Sequence, residues 1–175
     1  MNSTIVLEFE VTPPSLGVRN KKHDEYPQGF KHIQTDASVS GFEAGLAAVI
    51  VDDNEGQDSY VAVEFARVDS VLEAELAAIS MALSLARNRG YDHVILEFDC
   101  AVAMVGLNER KLPVQWGSYP MFTECLIKTF DFQSVVFSAI NRSVNCVADC
   151  LAMWARVSKI QTQGCLRDVA PFCGH

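Results

Sequence analysis

Three short stretches in the first half of the chain show the hydrophobic pattern of β-strands. They are KHIQTDAS (31–38), GLAAVIVDD (45–53) and SYVAVEFARV (59–68). The outer two alternate between apolar and polar residues, and the middle one is apolar with several β-branched residues. Because the segments between them are short, the pattern predicts three antiparallel strands in a meander.

The spacing of the apolar residues changes from strand-like to helical in the next segment. Ser70 and Glu73 have the spacing of a capping box, in which side chains bind backbone amides at the start of a helix. Gly90 supplies a stop signal. The apolar residues at helical spacing are Leu72, Leu76, Ile79 and Leu83. Together these features predict a helix from about residue 71 to residue 89.

The second half of the chain continues with strand and helix patterns in turn. Strands are predicted at VILEF (94–98) and SVVFSAI (134–140), and helices at 100–110, 121–130 and 146–157. With the two helices between the fourth and fifth strands taken as one unit, the resulting order, β-β-β-α-β-α-β-α, is typical of an α/β domain. We therefore predict a five-stranded mixed sheet flanked by helices.

Length and composition fit one globular domain with flanking segments. At 175 residues, of which 49% are hydrophobic, the chain is long enough to bury one core. We place the domain at residues 29–157, after a proline-containing leader at 1–28 and before a C-terminal tail at 158–175. The chain shows no signal-peptide pattern, no membrane-spanning run and no C-x-x-C pair among its six cysteines. We expect free thiols and an intracellular location, cytoplasmic or nuclear.

The charge balance restricts how this protein could hold a nucleic acid. Its 14 basic residues are outnumbered by 22 acidic ones, which gives a net charge of −8. An acidic protein is poorly suited to bind phosphate backbones over a wide surface. The charge remains compatible with an enzyme that holds nucleic acid at one small site through metal ions.

Four acidic residues stand on predicted elements that should meet in space. Asp36 lies in the first strand and Asp99 follows the fourth, and a right-handed crossover would make these strands neighbours. Glu75 lies on the crossover helix, on a flank of small alanines, whereas Glu73 lies on the flank where solvent is expected. Asp149 falls in the first turn of the last helix, where the helix dipole favours a carboxylate.

Each of these acids taken singly has an ordinary explanation, as a solvated loop residue or a helix cap. Convergence of all four is a stronger signal, because carboxylates that lie close repel one another and divalent cations relieve the repulsion. Hard oxygen ligands suit Mg²⁺ or Mn²⁺. Two such ions can activate a water molecule and stabilise the leaving oxygen of a phosphodiester. The acids therefore predict a two-metal site.

Three sequence blocks carry these acids, and together they resemble a known family. The blocks are YPQGFKHIQTDAS, EAELAAISMALSLARNRGYDHVILEFDC and NRSVNCVADCLAMWAR, within residues 26–157. They resemble the ribonuclease H-like superfamily, and more narrowly the reverse-transcriptase-like ribonuclease H domains of retroelement type that are abundant in plant genomes. The resemblance implies a metal-dependent endonuclease that hydrolyses the RNA strand of RNA–DNA hybrids. We expect it to act as a monomer.

The resemblance also implies roles for individual residues. Asp36 would bridge two Mg²⁺ or Mn²⁺ ions. Glu75 and Asp99 would hold the first ion, and Asp149 would hold the second. The expected substrate-binding residues are Ser38, Arg142 and Asn145.

Two other functions fit parts of the sequence. The first is a catalytically idle ribonuclease H-like fold, used as a protein or nucleic-acid interaction module. It is favoured by the net negative charge and by the loop 141–145, which lacks the histidine that better-studied ribonucleases H place there. The segment 108–134 also contains few basic residues. The four intact acids argue against this alternative. A related 3′–5′ exonuclease is a weaker alternative, because its first motif needs D-x-E and position 38 is a serine.

Overall fold

The computed structural model describes residues 28–51, 59–112 and 116–170. The predicted leader, apart from its last residue, and the last five residues of the predicted tail lie outside these ranges. The strands are β1 (Lys31–Ser40), β2 (Glu43–Val51), β3 (Tyr60–Arg67), β4 (His93–Phe98), β5 (Ser134–Ala139) and β6 (Thr162–Cys165). The helices are α1 (Val71–Asn88), α2 (Ala101–Glu109), α3 (Tyr119–Thr129), α4 (Cys146–Ser158) and α5 (Leu166–Val169), with short 3₁₀ helices at Trp116–Ser118 and Arg142–Val144.

The strands form one mixed sheet in the order β5-β4-β1-β2-β3-β6. The strands β1, β2, β3 and β6 pair in antiparallel fashion, whereas β4 and β5 run parallel to β1. This arrangement confirms the predicted mixed α/β sheet and its initial meander. It also places the carboxyl end of β4 beside β1, where the predicted acids lie.

The predicted count of five strands is wrong by one. Within the described residues the sheet has a sixth strand, β6, which lies in the segment predicted as a tail and pairs with the first half of β3. Its sequence, TQGC, has no alternation of apolar residues. The strand adds to the sheet through backbone pairing at its edge, and such pairing leaves no hydrophobic pattern to recognise.

Helix α1 begins where the capping signal predicted. The hydroxyl of Ser70 accepts a hydrogen bond from the backbone nitrogen of Glu73 at 3.1 Å. The carboxylate of Glu73 accepts a 2.7 Å hydrogen bond from the backbone nitrogen of Asp69, one residue before the usual capping-box partner. The Glu73 side chain is therefore bound at the N-terminus of α1, and the helix ends at Asn88, one residue before the predicted end.

Helices cover the two faces of the sheet in separate layers. Helix α1, with α2 and α3, packs on one face around buried residues that include Ile33, Leu76, Leu83, Leu96 and Phe98. Helix α4 packs on the other face against β1, β2 and β3. A Cβ atom added at Gly45 of β2 would overlap the carbonyl oxygen of Ala152 and the backbone nitrogen of Arg156. Gly45 therefore allows the backbone of α4 to approach the sheet directly.

Candidate active site

Two aspartates lie at the same level of two neighbouring parallel strands. Gln34 of β1 is paired with Glu97 of β4. Asp36 and Asp99 each follow this pair by two residues, so the register places them side by side. Asp36 stays inside β1, which continues along β2 to Ser40, whereas Asp99 begins the connection from β4 to α2. The carboxyl end of β4 thus opens a site beside a central strand.

Helix α1 contributes a third carboxylate to this site. Glu75 is 7% exposed. One carboxylate oxygen from each of Asp36, Glu75 and Asp99 lies within 4.8 Å of the other two. The position of Glu75 agrees with the flank predicted for it, since Glu73 is bound at the helix N-terminus instead.

The fourth predicted acid reaches the cluster through Asp36. Asp149 lies in the first turn of α4. A hydrogen bond between its side chain and that of Asp36, together with its negative charge, contributes to raising the pKa of Asp36. Asp149 itself is exposed, and it is not one of the three tightly grouped carboxylates. The structure therefore brings all four acids together, with Asp149 on the side open to solvent.

Burial and mutual repulsion raise the pKa values of two of these carboxyl groups. For Asp36, burial is the largest cause and repulsion from Asp99 is the next, and the pKa rises from 3.8 to about 7. For Glu75, burial is again the largest cause, repulsion from Asp36 and Asp99 follows, and the pKa rises to about 8. Ionised carboxylates accept hydrogen bonds and cannot donate them, so they cannot satisfy one another. The fully charged cluster is therefore unstable without a cation.

One oxygen of Glu75 shows that the cluster suits a cation. Glu75 Oε2 is buried, and none of the described residues hydrogen-bonds to it. Buried polar atoms nearly always have partners, because an unpaired one costs free energy. Small, hard divalent ions prefer carboxylate oxygens as ligands. The chemistry of Asp36, Glu75 and Asp99 therefore fits a divalent cation.

One basic side chain lies at the rim of the acid cluster. Arg142, in the 3₁₀ helix before α4, places its Nε atom 3.8 Å from Asp99 Oδ2. The charge of Arg142 lowers the pKa of Glu75 against the larger raising effects. Its side chain is 83% exposed, so the ion pair with Asp99 is weak and the guanidinium is accessible to a bound molecule. This position is compatible with the predicted substrate contact.

Asn145, also predicted to bind substrate, lies in a different environment from the one expected. Its side chain is fully buried, and its amide donates a 2.9 Å hydrogen bond to the carbonyl oxygen of Thr35. Asn145 also accepts the backbone hydrogen bond of Asp149 in the first turn of α4. In the structure Asn145 therefore ties the start of α4 to β1 next to Asp36. Its contact with a substrate stays a prediction.

Ser38, the remaining predicted substrate contact, is bound to α4. Its hydroxyl accepts a hydrogen bond from Arg156 Nε at 3.1 Å. Contact between Ser38 and a substrate stays a prediction. Sequence reasoning missed Arg156 and Gly45, which both hold α4 against the sheet and thereby position its acid. A glycine inside a strand is a signal of close backbone approach and could have revealed Gly45.

The fold and the acid cluster together define a class of protein. Antiparallel strands followed by parallel ones, with helices on both faces, one carboxylate inside the central strand and another just after its parallel neighbour, form the ribonuclease H-like fold. Ribonuclease H1 from the halophilic archaeon Halobacterium salinarum superposes with a TM-score of 0.67 at 19% identity, covering 75% of this chain and 100% of that one. A ribonuclease H domain from Mycobacterium tuberculosis gives 0.63 at 18% identity, covering 72% and 98%.

A third solved structure is a ribonuclease H1 isolated from compost, in complex with an RNA/DNA hybrid. It gives a TM-score of 0.66 at 20% identity, covering 74% of this chain and 98% of that one. The sequence itself matches the family model described as reverse transcriptase-like over residues 34–155. The chain belongs to the reverse transcriptase-like family.

A search of curated proteins finds no match to the sequence. Along the described residues, every helix is too short or too polar to cross a membrane.

Proposed function

We propose that this protein is a metal-dependent endonuclease that hydrolyses the RNA strand of RNA–DNA hybrids. The observation that carries the proposal is the group of three carboxylates within 4.8 Å of one another, with a buried oxygen on Glu75 to which none of the described residues hydrogen-bonds. Membership of the reverse transcriptase-like family and the similarity to a ribonuclease H1 solved with an RNA/DNA hybrid support the choice of substrate.

The four acids supply ligands for two divalent ions, Mg²⁺ or Mn²⁺. By the resemblance to the ribonuclease H-like superfamily, Asp36 would be a ligand of both ions, Glu75 and Asp99 would hold the first ion, and Asp149 would hold the second. Asp36 suits this role because its strand lies between two others and its carboxyl group interacts with both Asp99 and Asp149. The ions would activate water and stabilise the leaving oxygen of a phosphodiester. Cleavage would then leave a 3′-hydroxyl and a 5′-phosphate, as the resemblance implies.

The charge distribution indicates a small contact area with the nucleic acid. The net charge is −8. In α3, Lys128 is already bound, with its Nζ atom 2.6 Å from Ser80 Oγ and 2.7 Å from Glu124 Oε1. In this proposal the hybrid is recognised by its backbone shape and 2′-hydroxyls close to the acids. Affinity then depends on the metal ions more than on a basic surface.

The direct test is cleavage of a labelled RNA–DNA hybrid by the purified full chain. We expect internal cuts in the RNA strand with Mg²⁺ or Mn²⁺ and none in EDTA. Asp36→Asn removes the central ligand and should abolish cleavage while the protein stays folded, as checked by circular dichroism. A folded wild-type protein that leaves the hybrid intact with both metals would contradict the proposal.

Two glutamates on α1 offer a matched pair for the same assay. Glu75→Gln removes a charge from the buried cluster and should abolish metal-dependent cleavage. Glu73→Gln removes the same charge from the helix cap, two residues away, and should leave cleavage near the wild-type rate. The opposite pattern would show that the acid cluster is not the active site.

A second function, an interaction module without catalysis, is favoured by the net negative charge and by the internal use of Lys128. Equilibrium binding distinguishes the two functions. Hybrid binding that requires metal but is never followed by cleavage would favour the interaction module. Binding accompanied by cleavage, both lost in Asp36→Asn, would favour the endonuclease.

A further inference from the structure

Arg142 lies in a hydrogen-bonded loop, and its side chain is exposed. The carboxamide oxygen of Asn141 accepts hydrogen bonds from the backbone nitrogen of Ser143 at 3.0 Å and from its hydroxyl at 3.1 Å. On the other side, buried Asn145 is bound to β1. The guanidinium of Arg142 is nevertheless 83% exposed. The loop therefore holds this residue at the rim of the acid cluster while its side chain can change partners.

The present partner of Arg142 is also a proposed metal ligand. Arg142 Nε lies 3.8 Å from Asp99 Oδ2, and the Asp99 side chain is 18% exposed. A divalent ion on Asp99 would compete with the guanidinium for the same carboxylate, and its positive charge would repel the guanidinium. Because the guanidinium is 83% exposed and lies 3.8 Å from the carboxylate, the ion pair is weak, worth about fivefold in affinity. A bound divalent ion therefore displaces Arg142 at small cost.

The displaced guanidinium suits an anion next to the metal site. Arginine binds phosphate through several donors at once, and its exposed position needs little desolvation. A guanidinium that lies 3.8 Å from Asp99 before displacement remains within one side-chain length of the cluster. Phosphate groups of a nucleic acid at that cluster are the anions it would meet.

We propose that Arg142 exchanges partners: it neutralises Asp99 in the metal-free protein and binds a nucleic-acid phosphate once a metal ion holds Asp99. The phosphate half of this inference rests on the proposed function. The competition with metal rests on the geometry of Asp99 and Arg142 alone, so the two halves can be tested separately.

The test uses Arg142→Gln, with Arg87→Gln as the matched control. Arg87 is also an exposed arginine paired with an aspartate, with its Nη1 atom 2.9 Å from Asp131 Oδ2. It lies twelve residues beyond Glu75 on α1, about 18 Å along the helix. Arg142→Lys, a third variant, retains the charge without the planar guanidinium.

The first measurement is Mn²⁺ affinity by calorimetry, without nucleic acid. Arg142→Gln should tighten Mn²⁺ binding about two- to fivefold, because it removes a competing cation. Arg87→Gln should leave Mn²⁺ affinity unchanged, and Arg142→Lys should stay close to the wild-type value. Unchanged or weaker Mn²⁺ binding by Arg142→Gln would overturn the competition.

The second measurement is hybrid affinity against salt in Mg²⁺ at low temperature, with the RNA strand checked for integrity afterwards. Arg142→Gln should weaken binding and reduce the slope of log K against log salt by about 0.9, the value for one lost phosphate contact. Arg142→Gln is thus expected to raise the affinity for Mn²⁺ and to lower the affinity for the hybrid. Unchanged hybrid affinity and slope would overturn the phosphate contact.

These outcomes separate failure of the inference from failure of the proposed function. If wild type cleaves the hybrid but Arg142→Gln changes neither affinity, the exchange of partners is wrong and the endonuclease stands. If wild type neither binds nor cleaves the hybrid while Arg142→Gln still tightens Mn²⁺ binding, the proposed function and the phosphate half fail and the competition stands.

Discussion

Two clusters of polar side chains lie two residues apart on the same pair of strands, and their chemistry differs. In the first, Glu97 of β4 accepts from its neighbours on β1: His32 Nδ1 lies 3.2 Å from Glu97 Oε1, and Gln34 Nε2 donates to Glu97 Oε2 at 3.4 Å. Both oxygens of this buried carboxylate have partners. In the second, the carboxylates of Asp36 and Asp99 are grouped with a third carboxylate, and the backbone hydrogen bond from Ala37 to Asp36 is outweighed by burial and repulsion, which raise the pKa of Asp36.

The difference distinguishes a cluster that can stabilise the fold from a cluster whose chemistry fits a cation. A buried carboxylate with complementary donors can contribute to stability, whereas grouped carboxylates oppose folding once they are ionised. Both clusters lie on β1 and β4. The contacts of Glu97 help to hold these two strands together, and the strands in turn fix the positions of Asp36 and Asp99. Substitutions at matched positions can therefore test the comparison.

The largest expected effect is on catalysis, from carboxylate-to-amide changes two residues apart on β4. Asp99→Asn removes a proposed metal ligand and should lower the rate of hybrid cleavage about 10³-fold, which corresponds to about 4 kcal/mol. Glu97→Gln changes the same group in the first cluster and should keep the rate within about threefold, since its effect is on stability. If both variants lost cleavage rate by the same factor in single-turnover assays, the two clusters would not differ in function.

Gly45→Ala should disturb the acid cluster and leave the contacts of Glu97 unchanged. The new methyl group would overlap the backbone of α4 at Ala152, so the helix must move and its acid, Asp149, must move with it. We expect a loss of about 3 kcal/mol in the free energy of unfolding and a large loss of metal-dependent activity. Gly117→Ala is the control, because a Cβ there meets no atom of the described residues within 4 Å. Urea unfolding that shows equal stability for the two variants would contradict this account of Gly45.

Glu97→Ala should lower the free energy of unfolding by the same amount with and without metal. Removal of the carboxylate takes one hydrogen-bond partner from the buried His32 and one from Gln34, and the expected loss is about 1–3 kcal/mol. Urea unfolding in EDTA and in Mg²⁺ should give the same loss. A loss that appears in only one of these conditions would indicate that the first cluster is coupled to the metal site.

The smallest expected effect is a gain of stability in the metal-free protein. Asp36 and Glu75 have raised pKa values of about 7 and 8 in the folded chain, against 3.8 and 4.5 ordinarily. The unfolded chain releases these protons at lower pH, so the free energy of unfolding decreases as the pH rises from about 4 to 8. Asp36→Asn should remove part of this decrease and be more stable than wild type by about 1 kcal/mol at pH 8 in EDTA. Urea unfolding at pH 5 and pH 8 gives the measurement, and a wild type that gains stability with pH would contradict it.

Local patterns in the sequence predicted much of this architecture. Helix α1 was predicted at 71–89 and is found at Val71–Asn88, because its cap and its apolar spacing both act within a few residues. The flank of small alanines indicated that Glu75, and not Glu73, faces inward. The four acids could be placed near one another because strand order and handedness restrict where a crossover helix leads.

Features that depend on contacts between distant segments could not be predicted in this way. Asn145 matches a family motif, but its burial depends on a hydrogen bond to Thr35, 110 residues earlier in the chain. The pairing of Arg142 with Asp99 depends on how a loop folds back over the end of β4. Strand β6 depends on an available sheet edge and has no pattern of its own.

The pairing of β6 with β3 has a consequence for the behaviour of the protein at high concentration. Without β6, the sequence YVAVEFAR of β3 would form an open edge eight residues long. Open apolar edges can recruit strands from other molecules and initiate aggregation. The paired segment Thr162–Cys165, together with the hydrogen bond from the Phe65 nitrogen to the Ile160 carbonyl oxygen, occupies much of this edge. The short, polar β6 thus protects the sheet from assembly into larger species.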